Sequence, residues 1–378
     1  MDTLIFLQNY WWFIISLLGA LLVFMMFVQG GQGLLLEMGR TSTERELIVA
    51  SMGRKWELTF TLLVVFGGAF FAAFPLFYST SFGGAFYVWM LILLVFVIQA
   101  VAYEFRRKPS NLFGEKTYDC MLMINGLAGP LLLGMAFGTL FTGAPFTVDR
   151  MNMALTGGAV SQWATPWHGL DALADIRNWL FGILTLSLSR VLAMHYFINN
   201  INCDAIRRRA AMRSIYNAIP LFCSLILFVG MMCQSTGASF GYQIGIIAPE
   251  KQRFMNTFIE MPVLMAMFFA GVVLIGTGIY TGAIHASRRA IWFSGTGTVV
   301  LVLSLLLSSG WNNSCYYIST VDLQSSLNIS NSSSSELTLR VMSWVSLLIP
   351  FVLGYIWYVW RRLNAEPLSE RDVRDAGH

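Results

Sequence analysis

Nine separate apolar segments, each about as long as a bilayer crossing, constrain this chain more than any other feature of its sequence. A helix needs about 20 mostly apolar residues to cross the roughly 30 Å hydrocarbon core of a bilayer. The predicted crossings are Asn9–Leu36, Glu57–Tyr78, Phe82–Tyr103, Tyr118–Phe141, Asn178–Phe197, Ser214–Cys233, Met261–Ile284, Ala290–Ser309 and Val341–Trp360. We therefore predict an all-α integral membrane protein with nine transmembrane helices. Residues 1–365 form one polytopic membrane domain, and residues 366–378 form a short cytoplasmic tail.

Basic residues alternate between the connections of these segments. The connections after the first, third, fifth, seventh and ninth segments hold 18 of the 24 Lys and Arg residues. Because short cytoplasmic loops are rich in Lys and Arg, the amino terminus is predicted to lie outside and the carboxyl terminus in the cytoplasm. The net charge of +4 is thus a signal of topology and gives no reason to propose nucleic-acid binding.

The histidine inventory argues against haem in this chain. A membrane haem protein of the common design needs axial ligands that face each other at depth. Three histidines fall in a loop or near helix ends, and His378 is the last residue of the sequence. No metal-ligand constellation, phosphate-binding glycine loop or catalytic triad stands out either. We predict no catalytic, cofactor-binding or metal residues in this chain.

Three carboxylates stand near the ends of the first three predicted helices, on the predicted cytoplasmic side. Ionisable residues near a membrane span are functional candidates, because their burial is expensive. Glu37, Glu57 and Glu104 could together collect protons and pass them inward. The alternative is that each is a helix-end charge paired with a nearby basic residue: Arg40, Lys55 or Arg106.

The first apolar segment contains two amides and three glycines in the run Gln29-Gly-Gly-Gln32-Gly33. Gln29 and Gln32 share one face of a helix, because residues three apart are neighbours on its surface. Small residues also let membrane helices approach closely. Two roles remain open for this run: close helix packing, or a site that lines a proton route or a bound quinone.

Several motifs distributed along the whole chain resemble one family. They are Trp11-Trp12, Thr43-Glu44-Arg45, Trp56-Glu57, Gly67 to Pro75, Glu104-Phe105-Arg106, Gly134 to Gly138, Gly143 to Phe146 and Ser333 to Thr338. In this order, and with nine predicted crossings, they resemble subunit II of the cytochrome bd quinol oxidases.

The resemblance implies a terminal oxidase of the bacterial cytoplasmic (inner) membrane that oxidises quinol and reduces oxygen to water. The partner would be subunit I, which carries haems b and d and packs on this multi-pass chain through a broad intramembrane interface. The chain itself would bind no haem and, alone, would not be catalytic. The resemblance leaves open whether this chain provides a proton or oxygen route, whether it holds a structural quinone, and whether a small single-span subunit joins the complex.

The sequence departs from the family pattern where that pattern carries charge. Carboxylates at the end of the first helix are replaced by Gln29 and Gln32, and an arginine of the third helix is replaced near Gln99. A proton path through this chain would then rely on Glu57 and Glu104. The candidates for a proton route or a subunit interface are Trp56, Glu57, Glu104, Arg106, Gln29 and Gln32.

Two other functions compete with this interpretation: a secondary transporter and a structural membrane subunit of another complex. A transporter should show internal repeats and interrupted helices with polar groups near the midplane. The sequence has no evident repeat. Pro75 and Pro220 lie where proline is least costly to a helix. Of these three interpretations, only the oxidase subunit leads us to expect a tightly held haem-bearing partner.

Overall fold

The computed structural model describes residues 2–108, 111–153, 159–241, 245–363 and 367–369. Within them, eight helical segments are long and apolar enough to cross a membrane. These are Thr3–Gly33, Ser42–Ala73, Phe86–Phe105, Glu115–Thr142, Ile176–Asn200, Asp204–Gln234, Pro262–His285 and Ala290–Gly310. The first eight predicted crossings are thereby confirmed as long apolar helices, and the protein is mostly helical.

The first two segments are each built from more than one helix. The first segment contains α1 (Asp2–Met25) and α2 (Phe27–Gly33), and the second contains α4 (Ser42–Gly53) and α5 (Trp56–Ala73). The short helix α3 (Leu35–Met38) lies between the two segments. Helix α4 begins with a capping box: the Thr41 hydroxyl accepts a hydrogen bond from the Glu44 amide, and the Glu44 carboxylate accepts one from the Thr41 amide. Such a box satisfies two amides that a helix start leaves unpaired.

A tight π-helical turn joins the second and third crossings. It spans Tyr78–Gly83 and follows the short helix α6 (Pro75–Phe77). The next helices are α7 (Phe86–Phe105) and α8 (Glu115–Thr142). Proline at the first position of α6 lacks the N–H that would continue α5, so the chain bends there. Because the turn includes Phe82, α7 begins at Phe86, four residues later than predicted.

The second half contains four long helices and several short ones. The helices are α9 (Ile176–Asn200), α10 (Asp204–Gln234), α11 (Arg253–Glu260), α12 (Pro262–His285), α13 (Ala290–Gly310) and α14 (Ile329–Ser332). Short 3₁₀ turns span Arg150–Met153, Leu170–Ala174 and Leu323–Ser325.

In the part of the chain that the structure describes, three antiparallel pairs of strands lie in the long connections. They are β1 (Phe146–Val148) with β2 (Ser161–Trp163), β3 (Thr236–Gly241) with β4 (Ile246–Lys251), and β5 (Cys315–Tyr317) with β6 (Leu327–Asn328). All three fall in connections on the same side of the bundle as the start of α1. We call this the hairpin side, and the opposite, arginine-rich end the basic side.

The predicted ninth crossing is divided into two helices, α15 (Glu336–Ser346) and α16 (Ile349–Leu363). At the break, the amides of Leu347 and Leu348 bond three residues back instead of four. Pro350 follows, and a proline disfavours a helical conformation in the residue before it. Neither helix alone meets the length of a crossing, so eight single-segment crossings are present among the described residues.

The core of the bundle is formed by α1, α2, α9 and α13, whose residues are mostly buried. Helix α10 packs along α9, α12 along α13, and α8 lies between α9 and α7. Helices α5 and α7 are on the outside, and each turns one face away from the bundle. After α16, Leu368 exchanges backbone hydrogen bonds with Asn200 and Asn202 at the α9–α10 junction on the basic side.

Candidate functional site

A cluster of buried amides joins the first, third and fourth crossings. We call Gln29, Gln32, Gln99 and Asn125 the amide cluster. Gln29 Nε2 and Gln32 Nε2 both donate to Gln99 Oε1, over 2.8 and 3.0 Å. Asn125 Nδ2 donates to the Val95 carbonyl oxygen over 2.9 Å. The four side chains are fully or almost fully buried, so the run of Gln29 and Gln32 faces the interior.

The basic-side end of this cluster is closed by two aromatic rings. Gln32 Nε2 also donates to the Tyr103 hydroxyl oxygen, over 3.0 Å. The Tyr103 ring stacks on Trp56, with 5.7 Å between centroids and 15° between planes. Trp56 therefore bridges α5 and α7 beside the cluster.

Glu57 and Glu104 point away from the bundle. On α5, the exposed residues Glu57, Thr61, Val64, Gly68 and Phe71 follow the spacing of one helix face. Within the described residues, Glu57 has no hydrogen bond or ion pair.

The corresponding face of α7 has the same character. Its exposed residues are Met90, Leu94, Val97, Val101 and Glu104, again at helical spacing. The Glu104 carboxylate is 64% exposed and lies 2.5 Å from Lys108 Nζ. Each outer helix thus presents an apolar stripe that ends in a carboxylate at the basic side.

Arg106 is buried and pairs with a residue that sequence reasoning missed. Its Nε donates to Asp119 Oδ1 over 2.7 Å, and the two side chains are 3% and 9% exposed. The predicted pairs of the carboxylates differ as well. Glu104 bonds to Lys108 rather than Arg106, and Glu37 lies 2.6 Å from Arg190 rather than near Arg40.

Lys55 does not pair with Glu57. Its side chain is fully buried, and its ammonium lies 4.8 Å from the centre of the Trp360 ring in α16. A cation over an indole face is attracted by the ring's electron density. Lys55 therefore ties the start of α5 to the end of the last helix.

Glycines bring the central helices into backbone contact. A methyl group on Gly30 would lie 2.2 Å from the Ser189 carbonyl oxygen in α9. A methyl group on Gly126 in α8 would lie 2.1 Å from the Gly33 nitrogen. The glycines around Gln29 and Gln32 are thus needed for close packing, and the two glutamines supply the polar contacts.

An apolar groove of about 530 Å³ separates α5 from α7 on their outer face. Gly67 and Gly68 form part of one wall, and a methyl group on Gly68 would meet nothing within 4 Å. At the hairpin side, Phe82 stacks on Trp89 with 3.9 Å between centroids and closes the groove.

A second cavity, of about 310 Å³, lies between α7, α8 and the hairpin-side connections. Trp89, Trp163 and Tyr317 line it together with Asp171, which accepts hydrogen bonds from Trp163 Nε1 and the Thr165 hydroxyl. Burial raises the pKa of the Tyr317 phenol, so this hydroxyl keeps its proton at physiological pH.

At the rim of this cavity, Asp175 bonds to Arg177 through both carboxylate oxygens. Burial raises the pKa of Asp175, but the hydrogen bonds and charge of Arg177 outweigh it and hold the pKa below its ordinary value. The cavity therefore combines aromatic walls with a few fixed polar groups, as small-molecule sites commonly do.

A family model described as cytochrome bd terminal oxidase subunit II matches residues 7–363, nearly the whole chain. The chain belongs to this family. It is subunit II of a bd-type quinol oxidase, and hence a multi-pass protein of the bacterial inner membrane in respiratory electron transport.

Relatives and a solved structure agree with the family. The chain is 26% identical to cytochrome bd-I ubiquinol oxidase subunit 2 of Escherichia coli K12, over 98% of each chain. It is also 26% identical to cytochrome bd ubiquinol oxidase subunit 2 of Bacillus subtilis 168, over 95% of this chain and 98% of the relative. The bd oxidase structure from Geobacillus thermodenitrificans matches its fold with a TM-score of 0.60 at 13% identity, over 96% of this chain and 98% of that one.

Sequence reasoning missed several residues of the subunit II site. Asp119 was detectable, because it is a carboxylate within the predicted fourth crossing. Tyr103 and Asn125 carried no signal of their own, since a tyrosine at a membrane interface and a lone asparagine are common. Gln99 was noted as a departure from the family, but its bonds to Gln29 and Gln32 could not be inferred from spacing.

Proposed function

We propose that this subunit II supports the haem-bearing subunit I through the outer face of α5 and α7. The observation that carries the proposal is the pair of exposed apolar stripes with an open groove between them. Gly67 and Gly68 lower one wall of the groove, and small residues allow membrane helices to approach closely. We propose that side chains of a partner helix fill this groove, which α5 and α7 leave open.

The last helices support the same location for the partner. α15 packs on α1 and α5, where Trp11 Nε1 donates to the Leu339 carbonyl oxygen. On their other side, Trp344, Phe351 and Tyr355 are each more than two-thirds exposed. We propose that α15 and α16 form a ninth, interrupted crossing at the edge of this interface. The excess of Lys and Arg on the basic side supports a cytoplasmic location for that side, with the amino terminus outside.

A bulky residue in the groove tests the interface. We expect Gly68→Phe to reduce the amount of haem b and haem d that co-purifies with the tagged subunit, because the ring occupies the space of the partner helix. The matched control is Gly230→Phe on α10, since Gly230 is also exposed with nothing within 4 Å of a methyl group. Equal haem recovery in both variants, or equal loss, would contradict the proposed face.

We propose that the haems belong to the partner. Among the described residues, His195 is the one histidine buried in a crossing, and the packing around it supports the proposal. His195 Nδ1 lies 2.9 Å from the Ser294 hydroxyl oxygen. A methyl group on Gly282 would lie 2.7 Å from His195 Nε2. The ring is therefore enclosed on both nitrogens, and a porphyrin has no room at Nε2.

The 310 Å³ cavity fits the ring of a structural quinone, and we propose it as that site. Its volume lies at the lower end of the range of small-molecule pockets, about 300–1,000 Å³. Trp89 and Trp163 offer aromatic surfaces to the quinone ring, and the buried Tyr317 phenol lies in the wall with Ser81 and Thr139 as its hydrogen-bond partners. The presence of a small single-span subunit in the complex stays a prediction from the family resemblance.

We further propose that Glu57 and Glu104 collect protons at the cytoplasmic rim of the partner face. Both are exposed at the ends of the stripes, whereas the residues that lead inward from Trp56 are neutral amides. Arg106 is paired with Asp119 and serves the structure rather than a proton route.

The double variant Glu57→Gln, Glu104→Gln tests this role. Turnover of oxygen should fall severalfold at unchanged haem content, because glutamine keeps the size of the side chain but cannot bind a proton. Glu336→Gln, an exposed carboxylate of α15 paired with Arg340, is the control. Full turnover of the double variant across the physiological pH range would assign proton uptake to the partner alone.

A further inference from the structure

The last helix is anchored to the bundle at its basic-side end. Among the side chains of α16 that the structure describes, Trp360 alone is buried. Its ring lies in an aromatic box at centroid distances of 5.7 to 6.3 Å from four other rings, which are Phe24, Phe27, Tyr196 and Trp292. The opposite end of α16 begins directly after the break that separates it from α15. We call Trp360 in this box the anchor.

A second fastening follows in the chain at Pro367–Ser369, which we call the strap. Leu368 is 3% exposed, and its amide donates to the Asn200 carbonyl oxygen over 2.8 Å. The Asn200 side chain in turn accepts a hydrogen bond from the Ser51 hydroxyl over 2.7 Å. Ser51 precedes Lys55 by four residues. The strap and the anchor therefore both close over the end of α4.

Lys55 lies beneath the anchor as a buried cation. Its ammonium is 4.8 Å from the centre of the Trp360 ring and has no hydrogen-bond acceptor or carboxylate among the described residues. The Trp360 indole nitrogen is also buried without a partner there. Removing an ammonium from water is costly, and a cation over an aromatic ring recovers only part of that cost. The closed anchor thus withholds water from two polar groups.

We propose that α16 and the strap form a latch that opens and closes over Lys55, with the break between α15 and α16 as its hinge. Burial of Trp360 and Leu368 and the backbone hydrogen bonds of the strap favour the closed state. Hydration of the lysine favours the open state. Such opposing contributions give an element with two populated arrangements. In the open state the basic-side end of α16 leaves the bundle, and Lys55 reaches water.

Amide hydrogen exchange of the complete oxidase tests the latch through the strap, because a hydrogen-bonded buried amide exchanges when its segment opens. Lys55→Met removes the buried charge and keeps an unbranched side chain. We expect exchange at the Leu368 amide to slow by about tenfold or more, since the open state loses its hydrated cation. Lys108→Met is the control, because Lys108 is exposed and pairs with Glu104. Equal or faster exchange in Lys55→Met would overturn the proposal.

Labelling of lysines in the same complex with a water-soluble amine-reactive reagent gives the reverse measurement. In the unmodified protein, Lys108 should react readily and Lys55 slowly. Leu368→Asp places a charge in a buried position and should open the latch, so that labelling of Lys55 rises severalfold at unchanged labelling of Lys108. Leu368→Met keeps an apolar side chain and should leave Lys55 protected. Protection of Lys55 that persists in Leu368→Asp would show that the strap does not control access to it.

Discussion

Replacing Arg106 by methionine is expected to destabilise the subunit by about 3–5 kcal/mol, because the change leaves the Asp119 carboxylate buried without a cation. The arginine holds the end of α7 against the start of α8, and both side chains are almost fully buried. Unfolding of the purified complex by a denaturing detergent, followed by size-exclusion chromatography, measures the loss.

Two variants separate the cost of an unpaired charge from other effects. Adding Asp119→Leu to Arg106→Met should restore most of the lost stability, since removing both members of a buried pair is often neutral. Lys108→Ala breaks the exposed pair with Glu104 and should cost at most about 1 kcal/mol. A double variant as unstable as Arg106→Met would show that the arginine acts through packing instead of charge.

The second large effect is expected for Gly30→Ala. Overpacking a core costs about 1–3 kcal/mol where side chains can move aside. At Gly30 the nearest atoms are the Ser189 carbonyl carbon and oxygen, 2.3 and 2.2 Å from the added methyl. Because backbone atoms of a helix cannot yield alone, α2 and α9 must separate, and we expect little assembled complex in membranes.

Gly276→Ala on α12 supplies the comparison, because its methyl group would meet nothing within 4 Å. Its expected gain is about 0.5–1 kcal/mol from helix propensity. Gly126→Ala, which would press on the Gly33 backbone, should behave like Gly30→Ala. The yield of haem-containing complex per cell and its detergent resistance report both effects. Normal yield of Gly30→Ala would mean that the helices are farther apart in the membrane than the structure has them.

The fold could be predicted from hydrophobicity because the bilayer dictates segment length. Eight crossings were identified on that basis alone, although α10 begins ten residues before the predicted Ser214, so that Pro220 lies in its interior. The interruption of the last crossing was not predicted, although Pro350 stands in the middle of the predicted Val341–Trp360 segment, where a proline removes a helical hydrogen bond. The strand pairs were missed because segments of two to six residues have no periodicity that distinguishes them from loops.

The candidate site was less accessible than the fold, because sequence gives the residues but not the directions of their side chains. Gln29 and Gln32 were singled out, yet their common partner Gln99 lies on another helix. Glu57 and Glu104 were selected as inward candidates, and both face outward. Which side of an apolar helix is buried cannot be inferred when both sides are apolar, as on α5 and α7.

The neutrality of the amide cluster has an electrical consequence. A respiratory membrane is energised, and moving one elementary charge across 100 mV changes its free energy by about 2.3 kcal/mol. A carboxylate or guanidinium at this position would be pulled by that field, and its hydrogen bonds would shift when the voltage changed. Gln29, Gln32 and Gln99 carry no net charge, so the voltage performs no such work on them. We therefore expect the membrane voltage to leave the hydrogen bonds of the α2, α7 and α8 junction unchanged.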